Sequence, residues 1–304
     1  MTAVFVDAND SLAAVFERLS RIEDPPLRIH RDPDVAPEAL PGVLGDAAIA
    51  IVDHTYLPTA IARRCAGLRH VVFLGTGARS YMDPEELAAI GIQVHIIKGY
   101  GDTAVAEAAI ALMWASARNI ALMDREMRTG AWLREDGLQL TGKTLGLVGF
   151  GGIGAEVARI AAGSGMTVLA WNRTPKAVPN VSFTDLDHLL AASDVVSLHL
   201  LLTDDTRGLL SRERIGRMKR GAILINTARG ALVDEAAMIE ALRAGQLRHA
   251  GLDVFDVEPL PVDHPLTKLP NVTLSAHSAF RTPEASDNLV EAALQHCRRI
   301  ASAP

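Results

Sequence analysis

"LVGFGGIGAEVARIAAGSGMTVLAWNRTPK", residues 147–176, joins an apolar run to a glycine cluster, a helix-like stretch and a second apolar run. Gly149, Gly151 and Gly154 fit G-x-G-x-x-G, with Gly152 and Ile153 filling the loop. A strand that feeds straight into such glycines, followed by helical periodicity, is the pattern of a dinucleotide-binding turn. It needs a tight turn, close backbone approach to a pyrophosphate, and free N–H groups at a helix start. Glycine pairs alone also serve ordinary turns, so the flanking runs carry the reading.

The second apolar run, Thr167 to Trp171, should end in an acidic residue if the ribose is unphosphorylated. After Glu156 there is no Asp or Glu before Asp185, and position 172 is Asn172, followed by Arg173, Thr174 and Lys176. An aspartate there would repel a 2′-phosphate. Arg173 can pair with one, and Thr174 can donate a hydrogen bond to it. The expected cofactor is therefore NADP(H), with NAD(H) left open, and solvated loop charges are the plainer role for Arg173 and Lys176.

Outward from this stretch the chain alternates short apolar runs with helix-like segments. "AVFVDA", "LRIHRD", "AIAIVDHT", "RHVVFLGTG" and "IQVHIIKG" are five strand-like runs before residue 99. From Lys143 the alternation restarts with "KTLGLVGF", "MTVLAW", "DVVSLHL", "AILINTA", "HAGLDVF" and "NVTLSAH", interleaved with helices at 152–164, 185–192, 207–219 and 234–244. Such alternation predicts two α/β domains, each a parallel sheet covered on both faces. Between them a helix is expected over about 103–129, continuous or broken midway, buried in the protein or adding a dimer contact. The last helix should start near Thr282 as N-cap with Pro283 at its first position.

The bulk properties narrow the class. The 304 residues are 49% hydrophobic and 22% charged, with a net charge of −6, which suits a globular protein and argues against nucleic-acid or anionic-membrane partners. Cys65 and Cys297 have no metal or redox spacing, so no metal is expected. The opening "MTAVFVDAND" has no basic segment followed by a long apolar one. A cytoplasmic protein is the expectation.

Ligands of doubly wound sheets bind outside the carboxyl ends of the strands. Three side chains stand at such ends late in the second half: Arg229 in "AILINTARG", Glu258 in "AGLDVFDVEP" and His277 in "NVTLSAHS". Arginine can hold a carboxylate through two parallel hydrogen bonds. Histidine can exchange a proton with a hydroxyl or carbonyl oxygen near neutrality, and a glutamate on that imidazole would fix its tautomer. Taken singly, each has a plainer role as a cap, loop or solvated charge.

The segments "LTGKTLGLVGFGGIG", "SLHLLLTDDTRGLL", "LINTARGALVDEAAMIEAL", "AGLDVFDVEPLP" and "GYGDTAVAEAAIALM" occur along nearly the whole chain. On these the protein resembles the D-isomer-specific 2-hydroxyacid dehydrogenases, its glyoxylate and hydroxypyruvate reductase branch above others. The resemblance implies a Rossmann nucleotide domain, residues 99–281, inserted into a flavodoxin-like substrate domain of residues 1–98 and 282–304, and a homodimer. It implies that His277 is the acid/base, Glu258 its partner, and Arg229 the holder of substrate carboxylate and carbonyl. Gly75, Thr76, Gly77 and Ala78 would receive the carboxylate on their backbone N–H groups. Thr227, Ala228 and Asp253 would lie along the nicotinamide, and Leu200 joins the cofactor-binding set.

The chain departs from that family in three places. Ser278-Ala279 replaces the usual Ile-Gly after the histidine, Arg79 stands where an aspartate is common, and Ala108 replaces a histidine in "VAEA". The expected reaction is hydride transfer between a nicotinamide and C2 of a small 2-oxo or 2-hydroxy acid. Two alternatives belong to the same scaffold. One is a nucleotide-sensing binding protein or corepressor; the other is an NAD-dependent enzyme such as a phosphoglycerate dehydrogenase. Phe73 disfavours the latter, because that branch often has a basic residue there for the substrate phosphate.

Overall fold

A computed structural model describes residues 1–174 and 176–302. The five early apolar runs form β1 (Ala3–Phe5), β2 (Leu27–Ile29), β3 (Ile49–Val52), β4 (His70–Phe73) and β5 (Gln93–Ile96), all parallel, in the order β2-β1-β3-β4-β5. That is the flavodoxin-like order. Their continuous apolar character follows from burial on both faces. Val4, Val71 and Phe73 enter one core; Phe5, Val72 and Leu74 enter another that includes Leu289, Val290 and Leu294 of the C-terminal helix Pro283–Ser302. Thr282 caps that helix, its hydroxyl accepting from the Ala285 N–H at 3.1 Å.

The later runs form a second parallel sheet. Its strands are β6 (Thr144–Val148), β7 (Thr167–Trp171), β8 (Val181–Phe183), β9 (Val195–Leu198), β10 (Ala222–Asn226), β11 (Leu247–Leu252) and β12 (Val272–Leu274). The order β12-β11-β10-β9-β6-β7-β8 reverses between β6 and β9, as in a Rossmann sheet. The chain divides into compact units of residues 1–101 with 281–304, and 102–280. The second is thus an insertion into the first.

Three details differ from the periodicity reading. Strand β8 has no counterpart in it: "VSF" is a three-residue edge strand, too short to show a period. The helix expected over 207–219 is confined to Arg212–Arg217, because Thr206 folds the preceding residues into a turn and Ser211 caps the helix start. The helix expected over 103–129 is two, Asp102–Ala117 and Ile120–Arg128, bent by 67° where Asn119 takes φ +52°. Among the described residues no single helix is long and apolar enough to cross a membrane. Ala106, Ala109, Leu112, Met113 and Ala117 of the first helix lie in the core of the second unit.

Candidate active site

At the reversal point of the second sheet, β6 runs into the glycine loop and the helix Gly152–Gly163. Gly149 has φ +101°, and a Cβ there would lie 2.4 Å from the carbonyl oxygen of His199 and 2.9 Å from Leu200 Cδ2. A Cβ at Gly154 would lie 2.6 Å from the Gly149 oxygen. These two glycines let helix, turn and β9 close together, whereas Gly151 faces open space. The first helical bond runs from Ala155 N–H to the Gly151 oxygen, so Gly152, Ile153 and Gly154 keep their N–H groups free among the described residues. A helix start with three free donors and no side-chain cap fits a pyrophosphate.

Sequence reasoning missed Asp102, which approaches the same helix start. Its carboxylate occupies the space a Cβ at Gly152 would take, and burial raises its pKa above the usual carboxylate range. Only the fold brings Asp102 beside a residue fifty positions later.

Asn172 follows β7 and reaches back to the loop. Its Oδ1 accepts from Phe150 N–H at 3.3 Å, and its Nδ2 donates to the Thr174 oxygen at 2.9 Å. Lys176 Nζ donates to the Phe150 oxygen at 3.2 Å. Asn172 and Lys176 therefore shape the corner, while Arg173 and Thr174 are exposed and Arg173 has no side-chain partner among the described residues.

His277 and Glu258 meet as the sequence suggested. Imidazole Nδ1 lies 2.6 Å from Glu258 Oε2, and Glu258 Oε1 accepts from Phe255 N–H at 2.9 Å. The other imidazole nitrogen has no partner among the described residues. His277 has φ +46°, a left-handed conformation that costs a β-carbon residue about 1 kcal/mol or more. What holds it there is Asp253, 1% exposed, at the end of β11. The Asp253 carboxylate accepts from Ser275 Oγ (2.5 Å), Ser278 N–H (3.0 Å) and Ala279 N–H (2.9 Å), and its carbonyl accepts from His277 N–H at 2.7 Å. Both carboxylate oxygens are thus committed to the histidine loop. The clamp uses backbone amides at 278 and 279, so Ser278-Ala279 in place of Ile-Gly leaves it intact.

Arg229 is exposed, its guanidinium donating to the Ala228 oxygen at 2.6 Å, and it makes no hydrogen bond to His277 or Glu258 among the described residues. Asn226 folds the turn that leads to it, accepting from Ala228 N–H at 3.0 Å and donating to the Arg229 oxygen at 2.9 Å. Gly230 then passes so close that a Cβ would lie 2.0 Å from the Phe255 carbonyl carbon. Thr227 is 8% exposed and its hydroxyl has no protein partner, an orphaned polar atom that a bound ligand could satisfy.

In the first unit, Gly75 N–H is bonded to the Phe73 oxygen at 2.8 Å. The N–H groups of Thr76, Gly77 and Ala78 have no acceptor among the described residues. Arg79 pairs with Glu85 on the surface through two hydrogen bonds, and Arg281 is exposed.

Residues 110–279 match the model for the D-isomer specific 2-hydroxyacid dehydrogenase, NAD binding domain. The chain belongs to this family. It is 41% identical over 227 residues to a glyoxylate reductase of Thermofilum pendens, covering 71% of this chain and 67% of that one. It is 42% identical over 210 residues to a hydroxypyruvate reductase of Thermotoga maritima, covering 67% and 68%. The chain thus spans about two thirds of these curated relatives. A crystal structure of a protein from Thermus thermophilus superposes with a TM-score of 0.86 at 37% identity, over 97% of this chain and 94% of that one. Members are nicotinamide-dependent oxidoreductases acting on 2-hydroxy and 2-oxo acids, and the glycine loop and its open helix start fit such a cofactor.

Proposed function

We propose that the protein reduces a small 2-oxo acid, of the size of glyoxylate or hydroxypyruvate, with a preference for NADP(H) over NAD(H). The observation that carries the chemistry is the His277 imidazole, fixed at Nδ1 by Glu258 and free at Nε2. A carboxylate accepting from Nδ1–H fixes the tautomer of the neutral ring and leaves Nε2 as its acceptor. Nε2 is then the atom that gives a proton to the substrate oxygen in reduction and takes one in oxidation. Glu258 is oriented in turn by Phe255 N–H, so the pair is set before substrate arrives. A bound nicotinamide supplies the hydride.

In the second unit, Gly149, Gly151, Gly152, Ile153 and Gly154 hold the pyrophosphate, with Leu200, Thr227 and Ala228 as further cofactor contacts. Asn172 sets the ribose corner, and Arg173 with Thr174 takes the 2′-phosphate. Asp253 acts as a positioning residue through the His277 backbone. Arg229 is the group for the substrate carboxylate and carbonyl, and in the first unit the free amides of Thr76, Gly77 and Ala78 offer donors for a carboxylate. Phe73, 3% exposed and packed against Tyr81, offers nothing to a substrate phosphate, which favours this reading over a phosphoglycerate dehydrogenase.

The test is a panel of 2-oxo acids with NADPH and with NADH, followed by absorbance at 340 nm. Substrate-dependent oxidation faster with NADPH is expected for glyoxylate or hydroxypyruvate. Tight cofactor binding with no turnover across the panel would favour the nucleotide-sensing reading instead. A homodimer is proposed through the segment 119–132, where Ile120, Met127 and Trp132 are 52%, 55% and 74% exposed. Sedimentation at monomer mass at micromolar concentration would sink that assignment.

A further inference from the structure

The first sheet carries three histidines that the proposed reaction does not use. His70 opens β4, His95 lies in the edge strand β5, and His296 is on the C-terminal helix. Val72 pairs with His95 in the parallel register, and His70 is two residues from Val72. His70 and His95 therefore share the face of Val72, the face covered by the C-terminal helix. His70 Nδ1 stands 3.2 Å from His95 Nε2. Ring centroids are 5.4 Å apart for His70 and His95, and 5.5 Å for His95 and His296. All three rings are half-buried, and apart from one another they have no hydrogen-bond partner among the described residues.

We propose that His70 and His95 bind a divalent transition metal of the zinc, copper and nickel class, with His296 as the third imidazole. Metal–nitrogen bonds of about 2.0–2.1 Å put neighbouring ligand nitrogens about 2.9 Å apart at a right angle and about 3.3 Å apart in a tetrahedron. The observed 3.2 Å falls between these limits. Two neutral imidazoles so placed share one N–H proton; on metal binding the donating ring carries its proton on its other nitrogen, so both facing nitrogens offer a lone pair to the metal. Burial lowers the pKa of all three rings, and the Arg299 charge adds to this for His95 and His296. The rings are thereby kept in the neutral form that ligates metals. Among the described residues no three ligating side chains converge as they stand, so His296 must turn toward the pair and water must complete the coordination. The site lies wholly within residues 1–101 and 281–304, and so in a different unit from the His277–Glu258 pair.

The experiment is titration of chelator-treated full-length protein with Zn²⁺ by calorimetry and with Cu²⁺ by electron paramagnetic resonance. One equivalent should bind, with nitrogen hyperfine structure from at least two imidazoles in the wild-type protein. His70→Gln or His95→Gln should each weaken binding about tenfold or more, the double variant should lose the equivalent, and His277→Gln should keep it. Loss of one nitrogen coupling in His296→Gln supports the third ligand. The proposal is overturned if wild-type protein binds neither metal saturably. It is equally overturned if the bound copper shows fewer than two imidazole nitrogens, or if binding follows His277 and not the double variant.

Discussion

Asp7 and Asp253 do the same thing in two different sheets. Each is a buried carboxylate at the end of a strand, 0% and 1% exposed, and each gathers donors from the loop after the neighbouring strand. Asp7 accepts from the N–H groups of Asp53, His54 and Thr55 at 2.8–3.2 Å. Asp253 accepts from Ser275, Ser278 and Ala279. Each loop then presents a histidine bonded to another carboxylate, His54 to Asp53 at 3.2 Å and His277 to Glu258 at 2.6 Å. The difference is in what else faces the ring. His54 Nδ1 also lies 3.9 Å from the buried Asp7 carboxylate, so two carboxylates hold its charged form, whereas Nε2 of His277 has no hydrogen-bond partner among the described residues. A histidine held between two carboxylates fastens a loop. One held by a single carboxylate can exchange a proton at its other nitrogen.

Removing the His277 imidazole should give the largest effect. His277→Ala is expected to lower kcat by ~10²–10⁴-fold, the usual scale of lost general acid–base catalysis, with cofactor affinity nearly unchanged by calorimetry. His54→Ala should do far less to kcat, since its imidazolium is held by Asp53 and Asp7. Comparable losses in both would erase the distinction between the two loops.

Next come the clamps themselves. Asp7→Asn and Asp253→Asn each put an amide where a buried carboxylate accepts three hydrogen bonds, and each should cost about 3 kcal/mol in denaturant unfolding. Only Asp253→Asn should also shift the pH dependence of kcat, because it alone holds the left-handed His277 backbone. A pH profile unchanged in that variant would reduce Asp253 to a structural role.

Neither clamp is legible in the sequence, and the reason is physical. A single acidic residue inside "VFVDA" or "AGLDVF" looks the same whether it grips three amides or binds a ligand. The donors come from loops 46–48 residues away for Asp7 and 22–26 for Asp253, so only the strand order reveals them. The strands themselves are readable, because parallel strands buried on both faces leave continuous apolar runs. The pairing of His277 with Glu258 follows from the family resemblance; strand-end position alone leaves each with a plainer role. Strand β8 and the approach of Asp102 to Gly152 leave no pattern at all.

The cofactor corner gives a smaller expected effect than either clamp. Arg173→Ala should weaken NADPH ~10–100-fold while leaving NADH nearly unchanged, as loss of a charge-assisted pair to a 2′-phosphate requires. Binding isotherms for both cofactors check it, and equal weakening would return Arg173 to the solvent.

The smallest effect distinguishes the fastened histidine from buried ones by the sign of its pH dependence. The hydrogen bond to Asp53 raises the His54 pKa from 6.5 to about 9, against the opposing effect of burial. Its contribution is therefore complete below pH 6.5 and is lost as pH rises through 9. His249, buried in the second sheet, is pushed down to about 4, so its contribution is present above pH 6.5 and is lost as pH falls toward 4. The His54 side chain is 42% exposed, and solvent screening limits its share to ~1 kcal/mol. Unfolding free energies measured from about pH 6.5 to 9.5 should fall more steeply in the wild-type protein than in His54→Asn, by about that amount. Parallel curves would mean that the imidazolium does not fasten the loop, and the contrast with His277 would then rest on catalysis alone.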